Sequence, residues 1–157
     1  VTLKKYLDIL EALYIVFIVR PWHGNIARAV LQAPKVYFFD TGLVQGDEGV
    51  RFENLVATAL LKHTQWQVDA QGKEVGLHYI RTKDDAEVDF ALSEGGQLTH
   101  LIECKMQDDK PHRALRRFAD EFPATQAIQV IRDLRHSFAI GRLQMQRADE
   151  WLNALLV

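Results

Sequence analysis

Charged side chains interrupt two apolar runs between residues 77 and 106, and this feature most constrains the fold. Asp89 lies within one apolar run, and Glu103 and Lys105 lie within the next. Side chains alternate between the two faces of a strand, so Glu103 and Lys105 share one face while Cys104 takes the other. Placing a carboxylate beside an ammonium in an apolar strand costs desolvation free energy, so the pattern favours a functional site.

The two apolar runs predict antiparallel strands joined by a tight Glu-Gly-Gly-Gln turn at residues 94–97. Asp89 and Glu103 share a face only if their positions are in matching register, since directly opposed residues lie on the same face. A regular ladder built from this turn would instead pair Asp89 with Ile102. We therefore expect a three- or five-residue connection, or a β-bulge of the kind common beside active sites.

The remaining chain predicts alternating helices and strands. Apolar residues at three- and four-residue spacing indicate helices, and runs of β-branched and aromatic residues indicate strands. Thr2 is the expected N-cap of the first helix. Helices are predicted at residues 2–13, 50–63, 111–122 and 147–156, further strands at 14–19, 35–40, 66–68, 127–131 and 138–145, and a turn at Gly24 and Asn25.

The composition excludes several classes of protein, among them membrane-spanning and disulfide-bonded ones. The 157 residues, 48% hydrophobic and 25% charged, are typical of a globular chain, and no apolar run is long enough to cross a bilayer, so no membrane partner is expected. The single cysteine, Cys104, excludes an internal disulfide or a cysteine-rich zinc site and fits a cytoplasmic location. No Gly-x-x-x-x-Gly-Lys-Ser/Thr loop is present, so the chain itself should bind no nucleotide.

Binding to nucleic acid would require a local basic patch, because the formal net charge is -2. The densest basic cluster lies on and before the predicted helix at 111–122. One interpretation is contact with phosphates near the site, and the other is a solvated face that balances nearby acidic residues. The candidates for nucleic-acid binding are Lys110, Arg113, Arg116 and Arg117.

Hydrolysis of a phosphodiester suits these residue types. Asp89 and Glu103, with the backbone carbonyl of Cys104, would hold Mg²⁺ or Mn²⁺, and Lys105 would orient or deprotonate the attacking water or stabilise charge. Without metal, repulsion between the carboxylates should raise the pKa of one of them. Glu53 is either an additional acidic ligand or a solvated helix residue. The alternative for the strand residues is a structural ion pair between Lys105 and one carboxylate.

An Asp on one strand followed by Glu-x-Lys on the next resembles the PD-(D/E)XK nuclease superfamily, with Val88 where proline would stand. Longer stretches resemble a more specific family, the restriction-endonuclease-like C-terminal domain of unknown function found in bacterial and archaeal AAA+ ATPases. The matching stretches are YLDILE (6–11), KVYFFDTGL (35–43), FENLVA (52–57), EVDF (87–90) and IECK (102–105).

The resemblance implies an α/β (α+β) architecture, a restriction-endonuclease-like mixed sheet flanked by helices. It implies a partial winged-helix segment at residues 1–44, read more simply as a helix and hairpin, followed by a nuclease-like domain at 45–157. It also implies an N-terminal AAA+ ATPase domain in the same native polypeptide and DNA as a partner, and a homo-oligomer is compatible with it. Two functions follow as hypotheses: divalent-metal-dependent hydrolysis of DNA, or a non-catalytic DNA- or protein-binding module attached to an ATPase.

Overall fold

The computed structural model describes residues 2–22, 33–82 and 84–155. Within them lie helices α1 (Leu3–Ala12), α2 (Glu48–Gln71), α3 (Arg113–Glu121) and α4 (Ala148–Leu155), and a 3₁₀ helix at Thr41–Leu43. The strands are β1 (Val16–Pro21), β2 (Lys35–Phe38), β3 (Val75–Arg81), β4 (Glu87–Glu94), β5 (Gln97–Lys105), β6 (Gln126–Ile131), β7 (Phe138–Ile140) and β8 (Leu143–Arg147).

The eight strands form one mixed sheet in the order β2-β1-β3-β4-β5-β6-β8-β7. The pairs β1–β3, β5–β6 and β6–β8 are parallel, and the others are antiparallel. Parallel neighbours need a crossover connection, and α3 provides it between β5 and β6. The expected mixed α/β architecture, with helices flanking a mixed sheet, is therefore confirmed.

The core lies on both faces of this sheet. On one face, α2 and α4 pack over a cluster that includes Phe90, Ile102 and Cys104. On the other face, α3 packs over a cluster that includes Leu101 and Ile131. Burial on both faces explains why the central strands read as nearly continuous apolar runs. No helix within residues 2–22, 33–82 and 84–155 is long and apolar enough to span a membrane.

A two-residue turn and a β-bulge set the register of β4 and β5. Gly95 and Gly96 have φ of +57° and +77°, as a tight hairpin turn of the type I′ kind requires. The ladder then shifts by one residue between Leu92 and Ser93, where β5 carries Thr99 as the extra residue. The expectation of a bulge is confirmed.

The shift pairs Phe90 with Ile102, and the ladder ends there. Asp89 and Glu103 are the residues that follow this last pair on the two strands, and they meet through side-chain hydrogen bonds. A second irregularity lies on the other side of β4, where Asp89 and Phe90 together face the single residue Tyr79 of β3. Bulges of this type re-aim side chains, and the second one includes Asp89 itself.

Two predicted strands are wrong. The proposed strand at residues 66–68 is part of α2, which continues to Gln71 because its polar residues include no breaker before Gly72, whose φ of +66° ends the helix. The proposed strand at 138–145 is instead the hairpin of β7 and β8, which turns at Gly141, φ +59°. A glycine within a strand-like run was the signal for that turn.

The N-terminal region differs in detail from the prediction. Thr2 stands at the N-cap of α1, but its side chain makes no capping hydrogen bond. β1 includes Pro21, the residue that was expected to stop it. The turn predicted at Gly24 and Asn25 lies outside the described residues. Both β1 and β2 belong to the same sheet as the later strands, so hydrogen bonding continues across residue 44, and a domain boundary there stays a prediction.

Asn54, a buried polar residue of α2, ties that helix to β2. Its side-chain amide donates to the Phe38 carbonyl at 2.9 Å and to Thr41 Oγ1 at 3.1 Å, and its Oδ1 accepts from the Phe38 N–H at 2.9 Å. These bonds satisfy backbone groups of an edge strand that otherwise has only β1 beside it. Asn54 thus fixes where β2 lies against the rest of the fold.

We expect Asn54→Leu to lower the free energy of unfolding by about 2–4 kcal/mol, because it removes the amide that bonds to both the N–H and the carbonyl of Phe38. Urea unfolding followed by circular dichroism measures the change. Asn153→Leu, at an exposed position of α4, is the matched control and should change stability by less than about 0.5 kcal/mol. Equal, small effects for the two variants would contradict this role.

Candidate functional site

The site forms where the regular pairing of β4 and β5 gives way to side-chain hydrogen bonds. Pairing extends to Phe90 and Ile102. Beyond this last pair, side chains replace the backbone carbonyls as acceptors. The backbone N–H of Cys104 donates to Asp89 Oδ2 at 2.9 Å, and the backbone N–H of Asp89 donates to Glu103 Oε2 at 3.4 Å. Each carboxylate therefore bonds to the backbone of the opposite strand, and the two acidic side chains are held together between the strands.

Glu103 is the most buried of the acidic side chains at the site, with 4% of its side chain exposed. Its Oε1 lies 2.7 Å from Lys105 Nζ and 3.1 Å from His112 Nδ1. Burial alone would raise the pKa of Glu103, but the contacts with His112 and Lys105 outweigh burial and lower it. Glu103 is therefore the ionised member of the carboxylate pair.

Asp89 has the opposite tendency. Burial, followed by repulsion from Glu103 and Glu53, raises the pKa of Asp89 to about 7, although Lys35 and the Cys104 N–H favour its ionised form. This is the direction expected from carboxylates placed close together. A further cation beside Asp89 would offset the repulsion from Glu103 and Glu53.

Lys35, the first residue of β2, reaches into the same cluster. Its Nζ lies 2.7 Å from Glu87 Oε1, 3.1 Å from Glu53 Oε1 and 3.4 Å from Asp89 Oδ1. The Tyr37 hydroxyl also donates to Glu53 Oε1, at 2.6 Å. Glu53 thus faces the site rather than bulk solvent, and β2 contributes two of the side chains around it.

A cavity of about 460 Å³ adjoins the cluster on the side of α3. Glu87 and His112 line it together with Arg113 and Arg117. Arg117 Nη1 also pairs with Asp84 Oδ2 at 2.9 Å. Two of the four basic candidates are therefore beside the carboxylates, on one face of the helix.

The other two basic candidates lie elsewhere. Arg116 lines a separate cavity with Gly141 and Arg142. Lys110 is exposed in the loop before α3. The sequence alone placed all of these cations in one cluster, but consecutive residues of an α-helix are about 100° apart around its axis, and Arg116 and Arg117 line different cavities.

Gln129 is fully buried on β6, next to Glu103 in the parallel ladder. Its Oε1 accepts from the backbone N–H of His112 at 2.9 Å. Its Nε2 donates to the backbone carbonyls of Asp108 and Lys110 at 2.9 and 3.0 Å. Three hydrogen bonds from one side chain fix the loop that leads into α3. This positions the His112 ring against Glu103.

Sequence reasoning found Asp89, Glu103 and Lys105, and the structure brings these three together. The residues it missed are Lys35, Glu87, His112 and Gln129. Signals for some of them were present: Glu87 lies two residues before Asp89 on the same strand, and Gln129 interrupts an apolar run. His112 had no local signal, because a search for paired metal-binding histidines does not find a residue that contacts a carboxylate on another element.

Cys104 is a buried free thiol whose pKa burial raises, which agrees with a core role for its side chain. The carboxylates provide the hard oxygen ligands that divalent cations prefer. Within residues 2–22, 33–82 and 84–155, however, no three His, Cys, Asp or Glu side chains converge as a metal-binding group. The predicted ligand set of Asp89, Glu103, the Cys104 carbonyl and Glu53 stays a prediction.

These features define a class: a mixed α/β domain with a buried carboxylate and lysine site where two central strands part. A family model described as "Domain of unknown function (DUF4143)" matches residues 48–145, more than half of the chain, and the chain belongs to this family. A second model, described as "Domain of unknown function (DUF8612)", matches residues 1–50.

Two curated relatives are similar over part of their length. The chain is 29% identical over 102 residues to "Uncharacterized protein Rv2008c" of Mycobacterium tuberculosis and, equally, to "Uncharacterized protein Mb2031c" of Mycobacterium bovis. Each match covers 61% of this chain and 23% of the relative, so the chain spans only a minor part of the proteins it matches. No solved structure matches the chain.

Metal-free stability should depend on pH through Asp89. Because the pKa of Asp89 is raised in the folded state from 3.8 to about 7, the folded state binds more protons than the unfolded state between these values. Protonation of Asp89 therefore contributes to the free energy of unfolding. This contribution is fully present below about pH 4 and is lost as the pH rises through about 7. From about pH 5 to about pH 8 the loss should be on the order of 2–3 kcal/mol.

Urea unfolding in chelator at several pH values tests this dependence. Asp89→Asn should flatten it, because the amide cannot ionise, whereas Asp69→Asn at an exposed position of α2 should leave it unchanged. A pH profile that is the same in the wild type and Asp89→Asn would refute the assignment.

We expect Gln129→Met to lower the free energy of unfolding by about 2–4 kcal/mol, because three backbone groups lose a buried partner. It should also release His112, which a shift of the His112 ring signals in a nuclear magnetic resonance spectrum would report. Gln144→Met, on the neighbouring strand β8, is the control for a change of the same type. Unchanged His112 signals in a folded Gln129→Met protein would contradict the positioning role.

Proposed function

We propose that this chain is a nuclease-like domain that hydrolyses phosphodiester bonds of DNA with Mg²⁺ or Mn²⁺, in the manner of the PD-(D/E)XK superfamily. The observation that carries the proposal is the meeting of Asp89, Glu103 and Lys105 where β4 and β5 part. The contacts are the Cys104 N–H to Asp89 Oδ2 at 2.9 Å and Lys105 Nζ to Glu103 Oε1 at 2.7 Å.

The order of elements supports a restriction-endonuclease-like fold. Helix α2, strands β3 to β5, helix α3 and strand β6 follow one another in the order typical of that core. Residues 1–44, as the end of a winged-helix segment, would join this domain to an AAA+ ATPase in the same native polypeptide. Relatives much longer than the matched part are compatible with that arrangement, and the setting we propose is cytoplasmic.

The charges of the cluster fit a divalent cation. Glu53, Glu87, Asp89 and Glu103 face Lys35 and Lys105, and Arg81 pairs with Glu87 at 2.7 Å. When all four carboxylates are ionised, they carry one more negative charge than the three cations offset. Burial, followed by repulsion from Glu103 and Glu53, raises the pKa of Asp89, and a cation bound there would offset this repulsion.

Asp89 and Glu103, with the Cys104 carbonyl, would hold the cation. The bound cation would polarise the phosphate and lower the pKa of a water. Lys105 keeps its ammonium form, since Glu103 more than offsets the effect of burial and raises the pKa of Lys105. That ammonium can orient the water or stabilise charge on the phosphate oxygens, and it does not act as a general base while it is protonated.

The cavity beside Glu87 and His112 supports the binding of a nucleic-acid strand. Arg113 and Arg117 line it, one helical turn apart on α3, together with the acidic residues Asp84, Asp85 and Glu87. Guanidinium groups make bidentate contacts to phosphate oxygens, which position a strand without reading its sequence. The chain needs such a local patch because its net charge is negative.

A non-catalytic module that binds DNA or protein beside an ATPase is the second candidate. The Lys35 ammonium favours it, because it already bonds to three of the carboxylates. A lysine locked in this position would make the cluster structural. Binding of DNA without cleavage, with Mn²⁺ present, is the result that this candidate predicts.

Cleavage should be lost in Glu103→Gln and Lys105→Met, each by at least about a hundredfold, because they remove a cation ligand and a charge beside the phosphate. Plasmid and single-stranded DNA are incubated with Mg²⁺ or Mn²⁺, and products are separated on gels. Glu74→Gln and Lys62→Met, which change exposed residues, are the controls. Cleavage that survives Glu103→Gln would point to a contaminant and reject the enzymatic proposal.

A further inference from the structure

Lys35 has an environment that a surface lysine does not have. Its ammonium touches Glu87 and Asp89 on β4 and Glu53 on α2, at 2.7, 3.4 and 3.1 Å, and 19% of its side chain is exposed. An ammonium has three N–H donors, and here each carboxylate can accept one of them. Three acidic groups from two elements therefore converge on one cation.

The same position has walls that stabilise positive charge. Lys35 Nζ lies 5.6 Å from the centroid of the Tyr79 ring and 5.9 Å from that of Phe90. Burial disfavours the ammonium, but Asp89, Glu53 and Glu87 more than offset that effect, and the pKa of Lys35 is raised. Lys35 is therefore held in its ammonium form.

A hard divalent cation would require the same oxygen atoms. Mg²⁺ and Mn²⁺ bind carboxylates at about 2.0–2.2 Å, and the ammonium contacts them at hydrogen-bonding distance. Asp89 Oδ2 is engaged by the Cys104 N–H, so Oδ1, which faces Lys35, is the oxygen directed into the cluster. The ammonium and the metal ion cannot both occupy the space in front of Asp89 Oδ1.

The strand is fixed, but the side chain has room to leave. Asn54 clamps the Phe38 backbone with two hydrogen bonds, so a shift of β2 would break them. A cavity of about 440 Å³ is lined by Lys35, Glu53 and Glu87. Asp89 does not line this cavity, so rotation of the Lys35 side chain toward it would carry the ammonium away from Asp89 along a wall that includes Glu53 and Glu87.

We propose that Lys35 is a built-in competitor of the divalent cation: it holds the carboxylates together in the metal-free protein and swings aside when the ion binds Asp89. This inference rests on the proposed metal-dependent function of the same site. It makes Lys35 a positioning residue that sets the apparent metal affinity, because an ion binds only the fraction of molecules in which the site is clear.

Lys35→Met tests the competition, because methionine keeps much of the apolar stem and removes the charge. Mn²⁺ binding is measured by isothermal titration calorimetry and by the shift in melting temperature. The variant should bind Mn²⁺ at least about tenfold more tightly than the wild type. Its metal-free melting temperature should fall, because three carboxylates lose their cation, and Mn²⁺ should restore it. The control is Lys73→Met, because Lys73 Nζ lies 3.9 Å from Glu94 Oε1 in an exposed ion pair. This variant should match the wild type in Mn²⁺ affinity and in melting temperature.

The outcomes separate this inference from the proposed function. Mn²⁺ binding by Lys35→Met that is equal to or weaker than that of the wild type, or absent, overturns the competition even if the wild type cleaves DNA. Tighter binding without cleavage by either protein upholds the competition and rejects the nuclease. If Lys35→Met does not fold in chelator, Mn²⁺ should allow it to refold, and failure to do so counts against the inference. Lys35→Arg, which keeps the charge, should retain weak Mn²⁺ binding.

Discussion

The exchange of hydrogen bonds between β4 and β5 underlies everything else at the site. Where their ladder stops, the Asp89 carboxylate takes the N–H of Cys104 and the Glu103 carboxylate takes the N–H of Asp89. A sheet normally uses backbone carbonyls for this purpose. Substituting acidic side chains places two carboxyl groups between the strands, where Lys35 contacts Asp89 and Lys105 contacts Glu103.

Much of this arrangement could be predicted from the sequence. Strict alternation in β5 separates Glu103 from Cys104, and the two glycines at 95 and 96 fix a tight turn whose regular continuation would misplace Asp89. The need for a bulge followed from that conflict. What could not be read was where the extra residue would lie, since Thr99 is not distinguished from its neighbours by propensity.

Contacts between distant elements account for the rest. Lys35 and Glu53 are far from Asp89 along the chain, and the positions of β2 and α2 in the fold bring them together. The helix α2 was predicted too short because polar residues after His63 resemble a loop, although nothing before Gly72 ends a helix. Pattern reasoning is reliable for local periodicity and weak for pairings created by tertiary structure.

Sheet continuity has a practical meaning for anyone who shortens this chain. The two family matches meet near residue 50, which invites expression of the later part alone. Such a fragment would lack β1 and β2, and the unpaired backbone of β3 would become an open edge prone to self-association. It would also lack the lysine and the tyrosine that face Glu53, so its acidic pocket would differ from that of the longer protein.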